Sequence, residues 1–323
     1  MPVQASPAEA LPVTRADIEA AHARIRDHVR RTPLLRADAD LAPGCAVTFK
    51  LELMQHAGSF KTRGAFNNLL SREVPAAGVT AASGGNHGVA TALAASRLGH
   101  RARIFVPEIA SKVKIAAIRA QGAEVAIGGA RYADAQAACD LHAQSSGALI
   151  VHPFDSTATV AGQGVVAKEW EEDQAALGLG ALDTVLIAVG GGGLVAGVAA
   201  WWAGRVNVVG VEPEGSRCLD AALVAGEPVD VPVESIAADS LGARRVGQIP
   251  FQVARRAVDH VALVADDAIR SAQLLLWRDY RIASEPGGAA ALAALLSGRY
   301  RPQAGERVGV LLCGGNVDPA TLA

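Results

Sequence analysis

The sequence predicts an α/β fold in which parallel sheets are covered by helices on both faces. Three observations carry that prediction. Short runs rich in valine and isoleucine alternate with alanine-rich helical stretches along most of the chain, the order that parallel strands and their crossover helices produce. Glycine follows several of the helical stretches, at Gly99, Gly122 and Gly147, where a chain leaving a helix needs a left-handed cap. The 323 residues are half hydrophobic and 19% charged, enough for two packed domains of roughly 150 residues each.

Taken in order, the strand-like run Val47-Thr48-Phe49-Lys50-Leu51-Glu52-Leu53 opens the series. A strand at 79–82 leads to a helix at 86–98, and one at 102–106 to a helix at 111–120. Strands at 124–127 and 149–151 precede helices at 132–145 and 160–177. The apolar run 184–189 passes through four glycines into a helix at 194–203, and a strand follows at 207–212. Helices at 266–280 and 288–296 come before a last strand at 307–312. Residues 184–204 carry no charge and are long enough to cross a bilayer, which takes about 20 apolar residues. Glycines inside a helix cost about 1 kcal/mol each, so strand, turn and helix are predicted there instead of a membrane span.

Composition excludes several classes of function. Thirty basic against 32 acidic residues leave a net charge of −2, without the field that draws nucleic acid. The local basic clusters, Arg24 to Arg31 and Arg244-Arg245, read as solvated faces and loop charges. Cys45, Cys139, Cys218 and Cys313 are scattered, with no paired spacing for zinc or a redox couple, and are expected to be reduced thiols. The first residues, Met1 to Pro7, lack a basic segment followed by an apolar run, so no signal peptide and a cytoplasmic location are expected. No tandem repeat or low-complexity linker occurs.

The stretch Gly58-Ser59-Phe60-Lys61-Thr62-Arg63-Gly64-Ala65 places one lysine among small residues after a strand. A lysine amine attacks carbonyls only once it loses its proton; burial or a nearby positive charge such as Arg63 favours that loss, and an aldehyde cofactor then captures it as a Schiff base. The plain alternative is an exposed residue at a helix start. Gly190 to Gly193 turn from a buried strand into an apolar helix, where successive amides suit a phosphate dianion, cradle a dinucleotide, or simply make a tight turn. Ser83-Gly84-Gly85-Asn86-His87 lies at another strand-to-helix junction, suited to a carboxylate. Alternatively, Ser83 caps the helix and His87 is a surface imidazole.

In this order, with Cys313-Gly314-Gly315-Asn316 and the weaker echoes Ala161-Gly162-Gln163-Gly164 and Glu285-Pro286-Gly287-Gly288-Ala289-Ala290, these motifs resemble the serine/threonine dehydratase family of pyridoxal-phosphate enzymes, fold type II. The resemblance runs from about Thr32 to Asp318. It implies two doubly wound parallel-sheet domains, the smaller (75–154) inserted in the larger (1–74 and 155–323), and a homodimer paired through the larger. It implies that Lys61 holds pyridoxal 5'-phosphate and acts as general base, and that Phe60 packs on the ring and Asn86 bonds its phenolic oxygen. Gly190, Gly191, Gly192, Gly193 and Leu194 then hold the phosphate, and Cys313 faces the ring nitrogen. Ser83, Gly84, Gly85, Asn86 and His87 bind the substrate carboxylate. On the residues alone, Phe60 and Cys313 serve equally as core. Glu285 either faces the pocket or caps the next helix. Glu212 aligns with a cation ligand of some relatives, but Cys218 stands where a companion acid is needed, and no metal is expected.

The resemblance implies β-elimination on L-threonine or L-serine, giving a 2-oxoacid and ammonia. Racemases of the family carry serine at position 84; Gly84 has no side chain to exchange a proton, which favours elimination. The C-terminal regulatory domain of biosynthetic threonine dehydratases, and with it feedback by isoleucine, is not expected. Rival readings are a 3-hydroxyaspartate dehydratase, a β-replacement or threonine synthase, a serine racemase, a non-catalytic vitamin carrier or amino-acid sensor, and a nucleotide-binding module.

Overall fold

The structure, a computed structural model, describes residues 10–110 and 112–322. The amino-terminal segment read for a signal peptide, and Ser111 at the expected start of a helix, lie outside the described residues. Helix α1 (Arg15–Ile25) opens with a capping box in which Thr14 and Asp17 each accept from the other's amide. Strands β1 (Leu34–Arg36) and β2 (Ala46–Lys50) lead to α2 (Lys61–Leu70). Then follow β3 (Val79–Ala82), α3 (Asn86–Arg97), β4 (Ala102–Val106), α4 (Lys112–Ala120), β5 (Glu124–Ile127), α5 (Tyr132–Ser146), β6 (Leu149–Ile150) and the long α6 (Thr157–Ala176). The rest is β7 (Thr184–Ala188), α7 (Gly193–Trp202), β8 (Asn207–Pro213), α8 (Cys218–Ala225), the single turn α9 (Ala238–Leu241), α10 (Gln248–Ala257), β9 (His260–Val264), α11 (Asp266–Tyr280), α12 (Pro286–Leu296) and β10 (Arg307–Leu311).

These strands form two sheets, each in its own α/β domain. The smaller sheet, in the order β5-β4-β3-β6, is wholly parallel and draws only on the chain between β3 and β6. The larger runs β1-β2-β10-β7-β8-β9 and takes strands from both flanks, so the smaller domain is inserted in the larger. We propose that the division falls near residues 75 and 154, where the chain passes from one sheet to the other. The larger sheet is parallel apart from its edge, where the short β1 pairs antiparallel with β2. A short antiparallel edge strand needs only a loop to arrive, whereas a parallel one needs a crossover. Gly99, Gly122 and Gly147 have φ of +76, +83 and +74°, the left-handed conformation expected of helix-end glycines. Among the described residues, no helix is long and apolar enough to cross a membrane.

The core lies between the large sheet and its helices. Every residue of β7 is buried, and α7 and α12 are buried around most of their circumference, as befits helices wedged under other helices. Burying a side chain such as Leu186 or Ile187 contributes about 1.5–3 kcal/mol. Glycine sets how closely the helices approach. A Cβ on Gly162 of α6 would stand 2.8 Å from Gly64 Cα of α2, and one on Gly197 of α7 would stand 2.6 Å from Gly164 N of α6.

Beneath α2 lies a buried cluster of charge. Arg63 Nε and Nη2 donate to the two oxygens of Glu52 at 2.7 and 2.8 Å, and Nη2 also donates to Glu169 Oε2 at 2.7 Å. Thr32 Oγ1 donates to Glu52, while Lys50 Nζ donates to the Thr32 carbonyl and pairs with Asp173 at 2.9 Å. Burial alone would raise the Glu52 carboxyl; the Arg63 and Lys50 charges outweigh it and hold it below its ordinary value. Removing one partner leaves a buried charge uncompensated, so Arg63→Met is expected to cost about 3–5 kcal/mol in chemical denaturation. Because the folded carboxyl titrates lower than the unfolded one, its contribution is complete above the unfolded value of 4.5 and is lost as pH falls through the lower folded value. Glu52→Gln should flatten the acid side of the stability profile correspondingly.

Candidate active site

Strands β2 and β10 lie side by side, and the chain just beyond their carboxyl ends is stitched together. Phe60 N donates to Cys313 O at 3.1 Å, Gly315 N donates to Gly58 O at 2.9 Å, and Ser59 bridges Gly314. Reaching this pairing requires a left-handed turn at Ala57 and Gly58, with φ of 60 and 70°. Gly58 is obligatory on steric grounds as well, since a Cβ there would lie 2.2 Å from Asn316 Oδ1. Lys61 then begins α2, with Phe60 as its cap residue and no side chain capping it. The Lys61 amine donates to the Pro153 carbonyl at 2.8 Å and lies 5.1 Å from the Phe60 ring centre. Burial lowers its pKa to about 8, against the opposing pull of Cys313 and Glu285. Arg63, expected as a charge that helps deprotonate the lysine, instead spends its guanidinium on Glu52 and Glu169. Burial does that work.

The Ser83–His87 segment turns from β3 into α3, with Gly85 in the cap position. The first amides of α3 lack intrahelical partners and carry the positive end of the helix dipole. Two local alternatives are corrected here. Ser83 is not the cap; its hydroxyl accepts from Gly85 N at 3.2 Å. His87 is not a surface imidazole. It is buried, its Nε2 donates to the Val151 carbonyl at 2.7 Å, and burial pushes its pKa down to about 3, so the ring stays neutral. Gly84 faces the loop after β4: a Cβ there would meet Ala110 Cβ at 2.7 Å and Val106 Cγ1 at 3.1 Å. Asn86 Nδ2 donates to Glu285 Oε1 at 2.5 Å, and its Oδ1 accepts from Asn316 Nδ2 at 2.8 Å. Glu285 therefore points at Asn86 and its side chain does not cap α12. Burial raises its carboxyl, against Lys114, Asn86 and Lys61.

Gly190 to Gly193 carry the chain from β7 into α7, and space is short at each. A Cβ on Gly191 would lie 2.2 Å from the Phe154 ring, one on Gly192 2.7 Å from Pro250, and one on Gly193 3.0 Å from Phe154 Cα. Gly192 also has φ of +89°. The Leu194 side chain is buried in the core, leaving only its backbone toward the turn. Asp155 secures the neighbouring chain by accepting from Gln248 N and Ile249 N at the start of α10. Beside it, His152 Nδ1 accepts from Asp155 N at 2.8 Å, and its ring meets Phe154 edge-on.

Cys313 is buried past the end of β10, its Sγ donating to Gly287 O at 3.4 Å, and burial pushes the thiol up so that it stays protonated. Glu212 lies apart: its two oxygens accept from Leu219 N and Asp220 N at 2.9 Å, holding the start of α8. The structure thus gathers Lys61, Asn86, Glu285 and Cys313, with the Ser83–His87 and tetraglycine turns beside them. Sequence reasoning missed Phe154 and His152, which carry no motif. Asn316 was inside a quoted motif without a role.

The protein-family model described as pyridoxal-phosphate dependent enzyme matches residues 25–314. Phenylserine dehydratase of Ralstonia pickettii is 43% identical over 310 residues, covering 93% of this chain and 92% of that protein. L-threonine ammonia-lyase of Geobacter sulfurreducens is 36% identical over 312 residues, covering 95% and 76%. Among solved structures, maize serine racemase superposes with a TM-score of 0.89 at 33% identity, covering 96% of this chain and 95% of that one. The sheet order, the lysine at the start of α2 and these likenesses agree: the chain belongs to the pyridoxal-phosphate-dependent enzymes.

Proposed function

We propose that the protein is a dehydratase that eliminates water from a β-hydroxy-α-amino acid; the released enamine tautomerises to the imine and takes water back in hydrolysis, giving a 2-oxoacid and ammonia. L-threonine and L-serine are the first candidates, and the phenylserine dehydratase likeness adds an aryl side chain to that class. The observation that carries the reading is the enclosed Lys61 amine, with its pKa lowered to about 8, in a site where Gly84 offers no opposing proton donor. Serine at 84 would face Ala110 at 2.7 Å, which argues against two-faced proton exchange and for elimination.

The residues present fit the cofactor. Lys61 supplies the amine that anchors its aldehyde, Phe60 an apolar ring, and Asn86 an amide for the phenolic oxygen. Gly190 to Leu194 offer backbone amides at the start of α7, where the helix dipole favours a phosphate dianion. When bound, pyridoxal phosphate supplies an electron sink for the carbanion left by loss of an α-proton. Cys313 is a weak, neutral partner for the ring nitrogen, which keeps that sink moderate and suits elimination. The Ser83–His87 amides bind and orient the substrate carboxylate. Neutral His87 keeps the turn rigid by its bond to Val151 and contributes no charge. Lys61, once released, takes the α-proton; as a base it must be neutral and within hydrogen-bond reach. We further read the protein as a cytoplasmic homodimer.

A keto-acid assay over L-threonine, L-serine, phenylserine, the D-isomers and 3-hydroxyaspartate tests the reading. Product from one hydroxy-amino acid alone is expected; a requirement for a second substrate would point to a synthase and overturn it. Lys61→Ala should lose at least about 10²–10⁴-fold in rate and the visible absorbance of the lysine-bound cofactor. Cofactor uptake by the apo-protein should quicken as pH rises through about 8, since only the neutral amine attacks the aldehyde. Gly191→Ala, which drives a methyl into Phe154, should weaken cofactor binding in equilibrium titration while leaving Lys61 in place.

A further inference from the structure

Lys114 has no part in the reaction outlined above. It belongs to α4 of the smaller domain, and its side chain is only 12% exposed. Its ammonium is ion-paired with the carboxylate of Asp239, on the single turn α9 of the larger domain. Burial lowers the Lys114 pKa and the nearby Glu285 carboxyl opposes that. A lysine taken this far out of water, with a partner that is itself 63% exposed, is a poor device for stability alone.

The position of α9 suggests what the pair is for. Asp239 abuts the Gly85 turn: a Cβ on Gly85 would stand 3.2 Å from Asp239 O and 3.9 Å from its Oδ1. The next residues pack on the glycines at the base of the site, Ser240 Oγ at 2.2 Å from a Cβ on Gly287 and Leu241 Cα at 3.2 Å from one on Gly190. One turn of helix therefore touches the substrate-loop glycine, the tetraglycine and the Glu285 segment together. Lys114 reaches this turn from the opposite domain.

We propose that the Lys114–Asp239 ion pair is a clamp that holds the smaller domain, and the substrate loop it carries, closed against α9 of the larger domain, which makes Lys114 a positioning residue for substrate binding. The proposal rests on the reading of the Ser83–His87 turn as the carboxylate site. With the pair formed, the Gly85 turn is pressed against α9 and the α3 amides are held in place. With it broken, the closed arrangement is less populated, and apparent substrate affinity falls by the same fraction.

The test uses the holoenzyme and three variants: Lys114→Met, Asp239→Asn, and the exchange Lys114→Asp with Asp239→Lys. Two quantities are read: hydrogen exchange of residues 102–120 and 236–242, and KM against kcat at low and high salt. Each single variant is expected to exchange faster in both segments and to raise KM about 3–10-fold, with kcat changed far less. Charge exchange should recover much of both effects, and high salt should raise KM in the unaltered enzyme but not in Lys114→Met. The clamp is overturned if the single variants leave exchange and KM unchanged, or if the exchanged pair is no better than the singles. Should a single variant fail to fold, the salt response of the unaltered enzyme and the exchanged pair decide alone. Exchange needs no turnover, so coupled exchange without dehydration would sink the activity and spare the clamp. Dehydration with unaltered exchange would do the reverse.

Discussion

A fully buried guanidinium, held between two carboxylates, governs the geometry around Lys61. Arg63 binds Glu52 at the exit of β2 and Glu169 on α6, and it sits two residues beyond Lys61 in the first turn of α2. A buried ion pair that loses one partner leaves an uncompensated charge, so each member is costly to displace. That cost leaves α2 little freedom to rotate or slide. The glycine contacts between α2, α6 and α7 tighten the same constraint from the other side, since no side chain stands between those backbones to cushion a shift.

The site built on that foundation is nearly neutral. His87 is held uncharged, the Cys313 thiol keeps its proton, and the Glu285 carboxyl is pushed toward its acid form. Helix ends add positive potential to that of the largely buried lysines Lys61 and Lys114. Such a pocket receives its charge from what it binds, and a neutral lysine fits that economy better than an ammonium.

Much of this was legible in the sequence, for reasons that differ from residue to residue. The strands at 79–82, 102–106 and 124–127 were placed to the residue because each is a short, largely apolar run entered just after a glycine, Gly78, Gly99 or Gly122. Helix α6 begins three residues earlier than expected, at Thr157, because the Ser156 hydroxyl accepts from Thr159 N and caps it there. Strand β1 is three residues long and β9 follows a helix without a glycine break, so neither left a pattern. Helix α1 did leave one, the Thr14 and Asp17 spacing of a capping box, and it went unread. Within the site, single motifs pointed to the right residues but not to their surroundings. Arg63 looked like a neighbour of the lysine charge, yet its partners are 11 and 106 residues away in sequence. Burial of His87 likewise depends on Val151, which only the fold brings near.

The placement of β10 beside β2 bears on how the molecule comes into being. Every strand of the smaller sheet is available once residue 150 has been made, so that unit can condense during synthesis from contacts local in sequence. The centre of the larger sheet cannot. Its slot between β2 and β7 stays open until residues 307–311 emerge, and the Gly58–Lys61 turn has nothing to zip against until Cys313 to Gly315 follow. The nascent chain therefore carries an unfinished β2 edge for most of its birth, a window in which a chaperone or a stray strand would find its target.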